Sequence, residues 1–453
     1  MTDSWSSSLD AHLGWTPGSG RAGLASAIRA AIRDGRWKAG EMVPSTRALA
    51  RDLGIARGTV TRVYADLAAE GYLSTSQGAP TRVATAGVSP LSAPPLSAHA
   101  PPYRWTLAPG RPDPSLFPRG AWLAATRRVM QHAPNDVFNY GEPQGSSVLR
   151  ATLSAYVGRT RGVLADPARI VVCAGFSHGI SLLGHALRSV GITTTAFEDP
   201  SMDRFRDIMS QAGQRITGVR VDSRGIVVSE LDSPAVVVTP AHQFPVGDTL
   251  APARRTALVD SGAVVIEDDY DGEFRYDRQQ VGALQALDPE RVVYAGTVSK
   301  TLSPSLRLAW LVLPRFLVDP VLAALETTGT YPPTLPQLVL ADLISSGAYD
   351  RHVRRARLEY RSRRDRLVIA LPERLRPRGI SAGLHLVVGL DRAAEERVPE
   401  LARRHSLDIA RLSPLWLRDD DAPGGLVIGY GASTGNAFGG ALSALSSLLA
   451  DLA

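Results

Sequence analysis

The chain has 453 residues, 44% of them hydrophobic and 21% charged, which excludes a disordered, collagen-like or disulfide-scaffolded protein and leaves room for two or three domains. No run of about 18 or more apolar residues occurs, so no membrane span is expected. The net charge of +6 permits an anionic partner, and the single cysteine, Cys173, permits no internal disulfide and suits a reducing cytoplasm. The opening stretch MTDSWSSSLDAHLGW has neither a basic start nor an apolar centre, so it is not expected to be a secretory signal.

The Ser-, Gly- and Pro-containing N-terminus is expected to be loose. GLASAIRAAIRDG then reads as a helix, with Leu24, Ile28 and Ile32 four apart and Gly35 to end it. VPSTRALARDLG restarts a helix behind Ser45 as N-cap, with Leu49 and Leu53 inward and Gly54 closing it. A third helix follows in RGTVTRVYADLAAEG, where Val60, Val63, Tyr64 and Leu67 form one apolar face. GYLSTSQGAPTRVA reads as two short strands around a Gly-Ala-Pro turn. Residues 89–102 contain five prolines among small residues and can neither form a helix nor bury a core, so they mark a linker. Beyond it, the apolar β-branched runs RIVVCAG, TTTAFEDP, AVVVTP, AVVIEDDY, RVVYAGT and RLAWLVLP alternate with helix-like segments such as SHGISLLGHALRSV and LAPARRTALVDSG. That alternation predicts an α/β domain around a largely parallel, buried sheet. The expected domains are 18–86, a linker 87–103, and 104–453.

Two short helices and a hairpin make a winged helix-turn-helix, whose third helix enters the major groove of double-stranded DNA N-terminus first. Arg57, Gly58, Thr59 and Arg62 then reach phosphates or base edges, and Arg47 on the preceding helix meets the backbone. The plainer alternative is a three-helix cap with solvated arginines. GEMVPSTRALARDLGIARGTVTRVYADLAAEGYL closely resembles the GntR-type winged helix in its Pro-Ser-x-Arg-x-Leu-Ala run, its Arg-x-Thr-Val turn and its Leu-x-x-Glu-Gly-Tyr-Leu entry to the wing.

The chain keeps only two lysines, Lys38 and Lys300, and all its other cationic side chains apart from histidine are arginine. Covalent attachment to an aldehyde needs a primary amine that can lose its proton, which lysine supplies and arginine does not. Lys300 follows an apolar strand, and ligands of open α/β sheets sit at the carboxyl ends of strands. Other strand ends carry matching groups. AVVIEDDY delivers Asp268 for a protonated ring nitrogen and Tyr270 for a ring hydroxyl. IVVCAGFSHG ends in Gly175 with Phe176 and Ser177 opening a helix, an arrangement that holds phosphate. Arg307 offers a two-pronged phosphate clamp, with Ser299 beside it. Asp268 as a helix cap and Arg307 in a structural ion pair are the alternatives.

The whole resembles fold-type I aminotransferases, and more closely the MocR branch of GntR regulators, in FNYGEPQGSSVLRATLSAYVGRTRGV, TPAHQFPVG, IEDDYDGEFRY and SKTLSPSLRLAW. The resemblance implies a winged helix-turn-helix joined to a pyridoxal 5'-phosphate (PLP)-binding aminotransferase-like domain, with Lys300 carrying the cofactor, and a head-to-tail homodimer. It implies a transcription regulator rather than an enzyme; an active aminotransferase carrying a DNA-binding domain is the alternative. Three departures stand out. QFPVG replaces Asn-Pro-x-Gly, so the asparagine contact to the ring oxygen is missing. Met202 stands where an aromatic residue is expected by the ring, with Arg204, two residues on, matching an arginine that holds an effector carboxylate in relatives responsive to γ-aminobutyrate. In GGLVIGYGAS, Val427 takes the place of the arginine that grips an amino-acid carboxylate, unless Arg411 or Arg418 supplies that charge. The reading that follows is that PLP itself is the signal, as in PdxR-type regulators of vitamin B6 synthesis, with an amino-acid-like effector as the rival.

Overall fold

The computed structural model describes residues 13–76, 79–84, 103–276, 281–418 and 422–452. The chain divides into two compact units, Met1–Ala100 and Pro101–Ala453. The expected linker, apart from Tyr103, lies outside the described residues.

In the first unit the three expected helices run Gly20–Arg33, Thr46–Asp52 and Arg57–Ala69. The Ser45 side chain accepts from the Ala48 N–H at 3.1 Å, which caps the second helix as its sequence requires. Gly54 ends that helix with φ +63°, a conformation glycine adopts without a Cβ clash. Leu24, Ile28, Ile32, Leu49, Val60, Val63, Tyr64 and Leu67 form the buried core. Leu53, expected to face inward, is only half-buried. The wing is two strands of two residues, β1 (Leu73–Ser74) and β2 (Arg82–Val83), paired antiparallel. The expectation of a loose N-terminus fails from Leu13 onward. Leu13 is buried in this core and Trp15 packs against it, because two large apolar side chains in a short segment gain by docking.

The second unit begins with β3 (Trp105–Thr106). Its central sheet contains β4 (Ile170–Cys173), β5 (Thr194–Asp199), β6 (Arg215–Asp222), β7 (Gly225–Ile226), β8 (Ala235–Val238), β9 (Val264–Asp268), β10 (Val292–Thr297) and β11 (Ala309–Val312). Their order is β4-β11-β10-β9-β8-β5-β6-β7. Strands β10, β9, β8, β5 and β6 are mutually parallel, as their near-continuous apolar runs predict. Strand β11 runs antiparallel to both of its neighbours, and β7 antiparallel to β6. Helices cover both faces of the sheet. On one, Phe176–Ser189 and Arg315–Thr328 pack over Val171, Ile266 and Val293. On the other, Ser147–Arg161 and Thr334–Ser345 pack over Val172, Tyr294 and Trp310.

A second, smaller sheet, β12 (His385–Leu390), β15 (Gly424–Gly429) and β14 (Ala410–Arg411), carries the helices Arg392–Arg404 and Gly435–Leu452. Strand β13 (Leu407–Asp408) pairs with β3 and so ties the start of this unit to its C-terminal part. The long helix Ala348–Ala370 contributes Arg363, almost wholly buried. Its guanidinium meets the Asp113 carboxylate at 2.6 Å and the Ser433 carbonyl at 2.6 Å. Removing Asp113 leaves the buried guanidinium with only the more exposed Glu359 carboxylate, 2.8 Å from Arg363 Nε, as counter-charge, in a medium that solvates it poorly. Asp113→Ala is expected to destabilise the second unit by about 3–5 kcal/mol. The urea midpoint of that unit should fall while the transition of the first unit stays in place.

Candidate functional site

The N-terminal face of the third helix presents the expected DNA-reading residues. Arg57, Gly58 and Arg62 are exposed and Thr59 is half-buried, while Arg47 is exposed on the preceding helix. Among the described residues Arg47 and Arg62 have no ion-pair or hydrogen-bond partner, so both guanidiniums are free for phosphate. Arg57 is held more firmly, its Nε 3.4 Å from Thr46 Oγ1. A Cβ on Gly58 would meet nothing within 4 Å, so backbone can approach a ligand closely there. A cleft of about 650 Å³ opens beside these residues, lined also by Trp15 and Arg21. The sequence reading did not assign those two to this face, because only the docking of Leu13 and Trp15 brings the N-terminal segment to it.

The residues expected to hold a cofactor come together through strand register. Cys173 of β4 and Thr297 of β10 both pair with Ala309 of β11. Because β11 is antiparallel to both, Arg307, two residues before Ala309, falls opposite Gly175 and Ser299, each two residues beyond its partner. A Cβ built on Gly175 would lie 3.0 Å from Arg307 Cζ, and Gly175 holds φ +86°. Gly175 is the N-cap of the helix Phe176–Ser189, so guanidinium and helix N-terminus face one another. The Ser177 hydroxyl has no partner among the described residues. Ser299 is fixed by Thr297, whose Oγ1 lies 2.9 Å from Ser299 Oγ and accepts from the Ser299 N–H at 3.1 Å. Phe176 follows Gly175 at the helix N-terminus, but its ring packs edge-on against Phe205 at 4.8 Å, which makes it a wall rather than a polar contact.

Register also pairs Asp268 with Ala295, five residues before Lys300. Alternation sorts the acidic run. Glu267 accepts from the Leu284 and Gln285 N–H groups at 2.8 and 3.0 Å, and Asp269 pairs with Arg161 at 2.6 and 2.8 Å. Asp268 and Tyr270 therefore point the other way, toward Lys300. Asp268 is buried, and among the described residues its carboxylate accepts no hydrogen bond. Burial raises its pKa well above the usual carboxylate range, against the pull of the Lys300 ammonium. Burial lowers the pKa of Lys300, opposed by Asp268 and Asp271. The Lys300 Nζ donates to the Gly110 carbonyl at 2.6 Å. The Tyr270 hydroxyl donates to the His242 carbonyl at 3.1 Å and lies 3.1 Å from His242 Nδ1. These residues could hold a cofactor with one anionic group, one protonated ring nitrogen and one aldehyde.

The residues read as effector contacts separate. Met202 packs with Phe244, Tyr270, Leu415 and Val427 in one apolar cluster. Arg204 is exposed at the start of the helix Asp203–Gln211, outside that cluster. Val427 is fully buried and pairs with Val387 and Ala410. Arg411 pairs with Leu426, so strand alternation turns it to the opposite face from Val427. Arg418 bonds the Gly218 carbonyl and lies 3.9 Å from Asp199. Neither arginine stands in for the missing one. Sequence reasoning missed Gly110, His242, Asp271 and His385. His242 lies in the TPAHQFPVG motif, yet nothing in the linear order points to His385, 143 positions later by numbering.

Comparison with known proteins gives the family. Residues 21–83 match the family described as bacterial regulatory proteins, gntR family, and residues 113–418 match aminotransferase class I and II. The pyridoxine biosynthesis transcriptional regulator PdxR of Corynebacterium glutamicum is 34% identical over 430 residues, covering 90% of this chain and 91% of PdxR. MocR of Rhizobium meliloti is 32% identical over 438 residues, covering 89% of this chain and 88% of MocR. The chain belongs to the gntR-type transcriptional regulators that carry an aminotransferase domain. Its second unit has the fold of the kynurenine aminotransferase of Pyrococcus horikoshii, solved in complex with PMP, at a TM-score of 0.69 and 22% identity, covering 76% of this chain and 90% of that one.

The Gly175 backbone makes a local prediction. Gly175→Ala forces a Cβ into a positive-φ, extended-ψ conformation that is essentially glycine-only, and against the Arg307 guanidinium, and is expected to cost about 1–3 kcal/mol. Ser177→Ala, at a hydroxyl without a partner, is expected to stay within about 0.5 kcal/mol. Urea titration of the two variants side by side checks both.

Proposed function

We propose that the chain is a DNA-binding transcription regulator whose second unit binds PLP and reads the presence of PLP as its signal, without acting as an enzyme. The observation that carries this reading is an amine, a carboxylate, a phenol and a phosphate cradle gathered beside an apolar wall where an amino-acid carboxylate would need a cation. The buried Asp268 carboxylate has no hydrogen-bond donor among the described residues, and a protonated pyridine nitrogen would satisfy it. Gly175 leaves space against Arg307 that any side chain would fill. Burial keeps the Lys300 amine closer to its neutral, nucleophilic form. When bound, PLP supplies an aldehyde that condenses with a primary amine.

The chain's own residues do the rest. Arg307, Ser299 and the N-terminus of the helix Phe176–Ser189 bind the phosphate, Asp268 holds the proton on the ring nitrogen, and Tyr270 orients the ring oxygen. Met202, Phe244, Leu415 and Val427 exclude water from the neighbouring space. An amino acid entering there would bury its carboxylate against aliphatic carbon, and losing a charge-assisted pair costs about 2–5 kcal/mol. Arg204 is the residue by which an amino-acid effector could still be held, although it stands outside the apolar cluster.

We further infer that two copies associate. Leu123, Met130, Phe138, Tyr140 and Val148 are exposed on the second unit. Val129, Tyr140, Val148 and Leu338 line a groove of about 850 Å³, an apolar surface suited to a second copy.

Three outcomes are expected. Lys300→Ala loses the near-visible absorbance of bound PLP and the borohydride-reducible attachment, with its far-ultraviolet circular dichroism unchanged; a reducible adduct that persists in the variant would remove the assignment. Arg62→Ala weakens operator binding and lowers the salt slope by about one if the contact is to phosphate. Operator binding changes between cofactor-free and PLP-loaded protein, and a panel of amino acids leaves both unaltered. If the two forms bind DNA alike and one amino acid shifts both spectrum and affinity, PLP is a cofactor and that amino acid is the effector.

A further inference from the structure

We propose that His242, Asp271 and His385 form a binding site for a divalent transition-metal ion of the zinc type, next to the Tyr270 hydroxyl. The three residues come from separate stretches: the loop after β8, the loop after β9, and the first residue of β12 in the smaller sheet. All three are at least 97% buried. One possible ligand atom from each lies within 4.8 Å of the other two, so modest side-chain movement would bring all three onto one ion.

The hydrogen bonds around the rings point to a ligand. His385 Nε2 lies 3.1 Å from the Pro245 carbonyl, which can only accept, so this nitrogen carries the proton. His385 Nδ1 is then a bare lone pair, buried, with no hydrogen-bond partner. An acceptor in that position is costly unless something electron-poor meets it. The groups close by are themselves rich in lone pairs: the Asp271 carboxylate, 2.8 Å from His242 Nδ1, and the His242 ring, whose centroid is 5.0 Å from that of His385. A histidine that ligates a metal commonly donates its other ring N–H to a carbonyl or carboxylate, and His385 does so to Pro245. Two imidazoles and a carboxylate suit zinc or its first-row neighbours, whereas calcium and magnesium prefer oxygen alone.

The surrounding backbone is shaped for this convergence. Gly383, two residues before His385, has φ +71°. A Cβ there would fall 2.3 Å from the His242 ring and 2.4 Å from Asp271 Oδ2. Only glycine lets the lead-in to β12 pass so close to both. Tyr270 adds a consequence for the neighbouring pocket. Its hydroxyl lies 3.1 Å from His242 Nδ1, so an ion that displaces the proton His242 Nδ1 now donates to Asp271 also changes the hydrogen bonding of the phenol. This site stands independently of the PLP reading, because Lys300 contributes no ligand to it.

The test uses untagged, full-length, chelator-treated Lys300→Ala protein, in which the cofactor cannot attach and compete for the ion. Zinc is titrated against a chromophoric chelator, and cobalt(II) is added separately to record its visible spectrum. The expected result is one zinc per chain and an intense cobalt band of low coordination number. His385→Gln and Asp271→Asn in the same background should each weaken zinc at least about 100-fold. Zinc should raise the melting temperature of the parent protein, with little effect on the two variants. Should a variant not fold, as judged by circular dichroism in chelator, the parent's stoichiometry and cobalt spectrum decide alone. Absence of a one-to-one ion, a cobalt spectrum of the aqueous ion, or zinc affinity unchanged in folded variants overturns the proposal.

Discussion

Strand β11 runs against both of its neighbours, and the proposed phosphate cradle depends on that reversal. A parallel strand between β4 and β10 would bring its own carboxyl end to theirs. The reversed strand brings its beginning instead, and with it Arg307. Arg307 itself sits at φ +52°, a left-handed conformation rare outside glycine. That turn delivers the chain from the Lys300 loop back into the sheet at Leu308 and Ala309. One hydrogen-bond register therefore fixes the helix N-terminus, the guanidinium and Ser299 relative to one another, and the residues between Thr297 and Ala309 close over the same point as Lys300.

The charges of the second unit are handled by burial and alternation together. The run from Glu267 to Asp271 holds four carboxylates in five residues. Exposed side by side they would repel, and buried together they would be intolerable without partners. Strand geometry sends Glu267 to backbone N–H groups and Asp269 to Arg161 and the Tyr294 hydroxyl. The Asp269–Arg161 pair is thereby structural and Asp268 is left available for a ligand. The same low-dielectric setting raises the pKa of Asp268 and lowers that of Lys300, so a ring nitrogen and an aldehyde would relieve two costs at once. A binding event of this kind can act as a signal when the protein states that bind DNA differ in how well they hold it.

The effector question turns on a contrast between two neighbouring surfaces. Where the cofactor would sit, the lining is polar and convergent. Beyond Tyr270 it is the packed side chains of Met202, Phe244, Leu415 and Val427. Carboxylate recognition needs a cation aimed into the pocket, and the three arginines weighed from the sequence, Arg204, Arg411 and Arg418, are respectively exposed, turned away and occupied.

The amino-acid order by itself determined the elements and their chemistry. The six apolar runs became strands because branched side chains buried on both faces of a sheet leave a continuous signal. The three short helices of the first unit were legible from period and caps, Ser45 and Gly54 among them. Lys300, Asp268, Tyr270 and Arg307 could be singled out because each lies just beyond or before such a run and because lysine is so rare here. Only the tertiary structure decided what crosses between distant segments. The antiparallel sense of β11 depends on pairing with β4 and β10, and no local pattern encodes strand direction. Gly110 reaches Lys300 from 190 positions away, His385 reaches His242 across the two sheets, and Trp15 joins the cleft beside Arg62 by docking on a core built from later residues. Periodicity reports which side of an element is buried; it carries no information about which other element covers that side.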